Sequence, residues 1–216
     1  VWGGVCVCGG GVWGGVGVWV GGGVCVWGRG GGPEGHFGTS SSWEVPGVSG
    51  GVPVASWGAS GRSLPLRGKI SGAYITSSLA KTEAVQSGFD EALLLNSRGK
   101  VSEASGMNLF LVRDGELITP GVEQDILEGI TRASVIELAE TMGIRVIQRP
   151  VDKTELFIAD EVFLTGTAAK ITPIRQIEST TLGTDRPVME SLRTRLVAIT
   201  EGRDPAFEHW VTRISI

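Results

Sequence analysis

Lys69 lies inside the run from Leu66 to Glu83, LRGKISGAYITSSLAKTE, with Tyr74 five residues on. A desolvated lysine amine attacks carbonyl carbons and carries protons. A lysine taken alone is most often solvated, so Lys69 by itself reads as a surface residue. Glu103 ends a short apolar stretch and precedes Ser105-Gly106, where backbone can approach a ligand closely. Gly129-Ile130-Thr131 opens a run of helical periodicity. The free N–H groups and dipole of such a start suit an anion, and Thr131 adds a hydroxyl. The plain alternative is a helix capped only by its own threonine. Gly166-Thr167-Ala168-Ala169 is a second turn of small residues, again just after an apolar run.

Regular elements along the chain are expected to hold each of these groups. The pattern predicts a helix from Tyr74 to Gln86 that stops at Gly88. Glu91 to Leu95 reads as a buried strand, Asn96 to Gly99 as a turn, and Lys100 to Ser102 as the returning hairpin partner. Asn108 to Val112 and Glu116 to Thr119 are strands joined at Asp114-Gly115, a strong hairpin signal. Ile130, Val135, Leu138, Ala139 and Met142 fall at helical spacing, with Gly143 as the stop. A strand is expected at Arg145 to Arg149. Asp152 and Glu155 read as a capping box for a short helix, Lys153 to Ile158. Glu161 to Thr165 and Ile171 to Ile177 read as strands, the second placed at an edge or bulge by Pro173. A last helix runs from Pro187 to Thr200. Strands and helices interleave with frequent hairpins, which makes the class mixed α and β rather than doubly wound.

The chain divides by composition into three parts. Residues 1–32 contain only Gly, Val, Trp and Cys, apart from Arg29. Every one of those four types can be encoded with G and T alone, so the tract reads as translated low-complexity DNA. A genuine Gly-rich structural segment is the alternative. Residues 33–60 are rich in Gly, Ser and Pro and read as a flexible linker. Residues 61–216 read as one domain. All three cysteines, Cys6, Cys8 and Cys25, and six of the seven tryptophans precede residue 61. Cysteine count therefore carries nothing about the folded part, and no zinc-like spacing follows Cys6-Val-Cys8. Of 19 basic and 23 acidic residues only Arg29, Glu34 and Glu44 precede residue 61, leaving 18 against 21. That mild acidity argues against nucleic acid or an anionic membrane as a partner. No signal-peptide pattern and no membrane-spanning run is expected, which suggests the cytoplasm, with an organelle as the alternative.

The four blocks around Lys69, Glu103, Thr131 and Thr167, in this order and spacing, resemble the fold-type IV pyridoxal-phosphate aminotransferases. Among these the resemblance is strongest to the branched-chain amino-acid aminotransferases, over roughly residues 61–216. It implies the C-terminal domain of the D-amino-acid aminotransferase-like fold: a hairpin-rich sheet or pseudo-barrel with packed helices, preceded here by an irregular N-terminus. It implies pyridoxal 5'-phosphate as cofactor, Lys69 as the amine that bonds to the cofactor's aldehyde, and Tyr74 as a hydrogen-bond donor to its ring oxygen. Glu103 would face the ring nitrogen. Ile130, Thr131, Gly166 and Thr167 would hold the phosphate, and Thr167, Ala168 and Ala169 the substrate. Met107 stands where many relatives have an acid. The implied reaction moves an amino group between Leu, Ile or Val and 2-oxoglutarate, in an enzyme that is a homo-oligomer and uses no metal. The resemblance also implies an N-terminal domain over the cofactor, which residues 1–60 do not match, so activity is expected to be impaired. A D-amino-acid aminotransferase or other fold-type IV enzyme, and a catalytically dead fragment, are the alternatives.

Overall fold

The computed structural model describes residues 51–214, apart from 56, 57, 59, 62 and 63. The Gly/Val/Trp/Cys tract and most of the expected linker lie outside the described residues. Regular pairing starts ahead of residue 61, however: strands β1 (Gly51–Val52) and β2 (Val54–Ala55) fall within 33–60. They are followed by α1 (Ile75–Gln86), entered through a 3-10 turn at Ser71–Tyr74, then β3 (Leu93–Leu95), β4 (Val101–Ala104), β5 (Asn108–Arg113) and β6 (Glu116–Thr119). Next come α2 (Ile130–Thr141), β7 (Val146–Gln148), β8 (Glu161–Gly166), β9 (Lys170–Pro173), β10 (Gln176–Ile177), β11 (Thr180–Thr181) and α3 (Pro187–Thr200).

The strands group into three sheets, ordered β1-β10-β11, β2-β3-β4 and β7-β6-β5-β8-β9. In the five-stranded sheet β5 and β8 are central and antiparallel, with Asn108 opposite Thr165 and Phe110 opposite Phe163. Both strands are buried at five of six positions because both of their faces are covered. Leu109, Leu111, Val162 and Leu164 enter one core with Val52, Leu93, Val101 and Ile177. Phe110, Val112 and Phe163 enter the other, beneath Val135 and Leu138 of α2 and Met189 and Leu192 of α3. The two aromatic rings stack with centroids 5.3 Å apart.

Turn and cap chemistry sets the element ends. Asp114 (φ 52°) and Gly115 (φ 77°) both occupy the left-handed region, as the tight β5–β6 hairpin requires. All three α-helices close in one way, at Gly88, Gly143 and Gly202. In each, the amide after the glycine returns to a carbonyl five residues back: Phe89 to Ala84, Ile144 to Ala139, Arg203 to Ala198. A left-handed residue is needed at that position, and glycine takes it without a Cβ clash.

Two expectations are corrected. The capping box at Asp152 and Glu155 does not form, and Lys153–Ile158 is a 3-10 helix with no side-chain cap. Cations take both carboxylates instead: Lys100 binds Asp152, and Arg149 binds Glu155. The expected strand over 171–177 is two strands in different sheets. Pro173 has no N–H with which to extend the ladder, and β9, at the sheet edge, ends there.

Candidate functional site

Glu103 sits at the end of β4, where the chain leaves the small sheet for β5. Its Oε2 accepts from Asn108 Nδ2 at 2.9 Å and from the Leu127 amide at 3.0 Å. Asn108 Nδ2 also donates to Leu127 O at 2.8 Å. Thus Asn108, the first residue of β5, clasps both the acid and the loop that leads into α2. Burial raises the Glu103 carboxyl from its ordinary 4.5 to about 8, against the Leu127 amide and the more distant Arg132, which lower it. A partly desolvated acid of this kind gains more from a cationic or N–H partner than a fully solvated one does.

An open hollow lies in front of this carboxyl. Tyr74 and Ser77 line it from the start of α1, Leu94 and Ser102 from the small sheet, and Asp125 and Leu127 from the loop before α2. Leu66 and Gly68 close the remaining side, so two chain neighbourhoods marked by their residue types, 66–74 and 103, meet here. Lys69 itself is exposed and is not among the lining residues. The loop that carries it is held by short local backbone bonds, Gly68 to Pro65 at 2.8 Å and Ile70 to Gly68 at 2.8 Å.

The start of α2 follows Leu127 of this lining and is tied to Glu103 through Asn108. Gly129 has an ordinary φ of −68°, so backbone freedom does not explain it. Space does: a Cβ there would lie 2.1 Å from Asn108 Oδ1. Among the described residues no side chain accepts from the amides of Ile130, Thr131 or Arg132. The helix start is therefore not capped by its own threonine, and its first-turn donors are open to an anion. Ile130 is 45% exposed and Thr131 half-buried.

The Gly166–Ala169 turn adjoins the loop after Glu103: a Cβ on Gly166 would come within 3.1 Å of Met107 Cγ. Thr167 and Ala168 are exposed and Ala169 is half-buried. Asn108 and Arg132 are the members that sequence reasoning left without a role, although each lies within a few residues of a candidate. Their types signal nothing by themselves, and only their burial and partners set them apart. Among the described residues there is no cluster of three or more His, Cys, Asp or Glu that could hold a metal, and no helix is long and apolar enough to cross a membrane.

The chain is a hairpin-rich mixed α/β fold in which Asn108 ties a half-buried acid at one hollow to an uncapped helix start. Residues 56–177 match the model of the amino-transferase class IV family, and the chain belongs to that family. It is 63% identical over 164 residues to a probable branched-chain-amino-acid aminotransferase of Synechocystis, covering 76% of this chain and 54% of that protein. Two solved structures are similar in fold. A branched-chain aminotransferase from Thermoproteus uzoniensis, with norvaline, superposes with a TM-score of 0.74 at 40% identity, covering 76% of this chain and 56% of that one. One from Thermobaculum terrenum in its PLP form gives 0.74 at 42% identity, covering 77% and 55%. The chain spans about half the length of the curated relatives it matches.

Proposed function

We propose that this chain carries the cofactor-binding half of a branched-chain amino-acid aminotransferase, which uses pyridoxal 5'-phosphate to move an amino group between Leu, Ile or Val and 2-oxoglutarate. The observation that carries this reading is Glu103: a half-buried acid whose Oε2 is anchored by Asn108 and the Leu127 amide, at the wall of a hollow shared with Tyr74. The residues fit the group, since the acid suits the N–H of a protonated ring and the open amides of α2 suit a phosphate. When bound, the cofactor supplies the electron sink that makes an amino acid's α-proton removable.

The chain's own residues would do the rest. Lys69 anchors the cofactor through its amine and takes and returns the α-proton. Glu103 keeps the ring nitrogen protonated, and Tyr74 donates to the ring oxygen. The amides of Ile130 and Thr131, with Gly166 and Thr167, hold the phosphate. Thr167, Ala168 and Ala169 receive the substrate carboxylate. The relatives' names favour branched-chain substrates over those of a D-amino-acid aminotransferase. The exposure of Lys69 favours one second reading, a chain that binds cofactor without turnover.

One assay separates these. The purified chain is supplied with Leu and 2-oxoglutarate while the cofactor absorbance is followed. Turnover supports the aminotransferase. A protein-bound cofactor band without turnover supports the binding-only reading. Absence of any band overturns both.

A further inference from the structure

Asn108 is 5% exposed, and both hydrogens of its carboxamide are used. One goes to Glu103 Oε2 at 2.9 Å and the other to Leu127 O at 2.8 Å. The Leu127 carbonyl can only accept, so the group facing it is the NH2 and the carboxamide has one orientation. The Leu127 amide closes the ring by donating to the same Glu103 Oε2 at 3.0 Å. Gly129 braces the far side, where a Cβ would lie 2.1 Å from Asn108 Oδ1. A single side chain at the start of β5 therefore sets the acid against the loop that leads into α2.

Two N–H donors on one carboxyl oxygen decide where its proton sits. They occupy the in-plane lone pairs of Oε2, so the protonated acid carries its hydrogen on Oε1. They also favour the ionised form, in opposition to burial. Two other charged groups bear on the acid: Arg132 of α2, which lowers its pKa from a distance, and Asp125, which lines the same hollow.

We propose that Asn108 is the positioning residue of this acid: it pins Glu103 by Oε2 and so makes Oε1 the oxygen that exchanges a proton with the nitrogen of a pyridine ring in the hollow. This rests on the reading of Glu103 as the partner of a ring nitrogen. Glu103 gives the proton from Oε1 to that nitrogen and is left a carboxylate, whose charge the two N–H donors stabilise. Asn108 acts through Glu103.

The test titrates two ligands into the 216-residue chain, pyridoxal phosphate and a deaza analogue with carbon in place of the ring nitrogen. Wild type should bind the first about tenfold or more tightly than the second, and Glu103→Gln should lose that preference. Asn108→Leu and Asn108→Asp keep the shape of the side chain and remove both donors. Each should cut the preference to about threefold or less while the analogue's own affinity stays within about twofold. Added to Glu103→Gln, Asn108→Leu should change the preference no further. A second readout needs no ligand. Infrared titration of the Glu103 carboxyl, taken as the difference from Glu103→Gln, should place its midpoint near 8 in wild type and higher in Asn108→Leu, where a donor to the carboxylate is gone. A preference kept by either Asn108 variant, equal weakening of both ligands, or a midpoint that does not rise overturns the proposal and leaves Asn108 a packing residue. Wild type that binds both ligands alike, or neither, overturns the ring-nitrogen reading itself, and this inference with it. Should Asn108→Leu fail to fold by circular dichroism, Gly129→Ala, whose Cβ displaces the carboxamide, carries the same comparison.

Discussion

The Glu103 carboxyl should make the stability of this chain depend on pH. Its pKa stands at about 8 in the folded chain against an ordinary 4.5. A raised carboxylate means that the folded state holds the proton more tightly than the unfolded one. Its contribution is therefore complete below pH 4.5, declines as pH rises toward 8, and is constant above that. Glu103→Gln cannot ionise, so the variant should gain on wild type across that window, at no more than about 1.4 kcal/mol per pH unit. Urea unfolding at pH 5, 6.5 and 8 measures the gap, and parallel curves would count against a buried Glu103. Lys69 gives the second prediction at this scale. Borohydride reduction with bound cofactor, followed by peptide mapping, should label Lys69. Lys81 is occupied by Asp90 O at 2.6 Å and Glu91 Oε2 at 2.9 Å, which argues against it as the anchor. Label on Lys81 or Lys170 would end the assignment.

At the scale of elements, the helices are held very differently. α1 packs through Ala80 and Ala84 against Ala92 and Leu94, a thin contact of small side chains. It leaves Ile75 64% and Leu79 51% exposed. α3 is fixed by a device that no local sequence window contains. Glu161, on β8, accepts from the Val188 amide at 2.9 Å and the Met189 amide at 2.7 Å, capping the start of a helix that begins 26 residues later in the chain. A buried carboxylate on two first-turn amides gains from both the hydrogen bonds and the dipole. Glu161→Ala is expected to cost roughly 2–3 kcal/mol of unfolding free energy, because it leaves those amides unsatisfied. Glu161→Gln should cost less, since it keeps an acceptor. Chemical denaturation of the two variants checks the order, and equal losses would show that packing rather than capping holds the end of α3.

For the whole molecule, the proposed function carries an expectation of slow turnover. Lys69 is exposed, and Ile70 and Ile130 are 48% and 45% exposed. Water that reaches the proposed anchor, Lys69, would weaken the electrostatic contacts around it and loosen the alignment of the reacting groups. Orientation is worth several kcal/mol, so transamination of Leu by this chain alone is expected to be roughly a thousandfold slower than by a complete branched-chain relative. The measurement is a Leu plus 2-oxoglutarate assay on monodisperse protein. A rate within tenfold of such a relative would show that an open hollow and an exposed Lys69 do not limit turnover.

Local chemistry was enough to place most elements of this chain. Asp114-Gly115 made its hairpin, Glu116–Thr119 and Pro187–Thr200 have the expected bounds, and Gly88 and Gly143 stop their helices where left-handed backbone is needed. The blocks around Lys69, Glu103, Thr131 and Thr167 could be picked out as candidates, because residue type and spacing along one strand, turn or helix start are local properties. Competition between distant groups was not readable. Lys100 and Arg149 drew Asp152 and Glu155 out of a capping box, and Glu161 capped a helix from another strand. The pairing of Gly51–Val52 with β10 lay in a segment whose composition looked like linker. Above all, burial belongs to the tertiary structure. The same acid or guanidinium is ordinary in water and consequential once desolvated, and only the folded chain shows that Arg132 is buried and Glu103 half-buried while Lys69 is exposed.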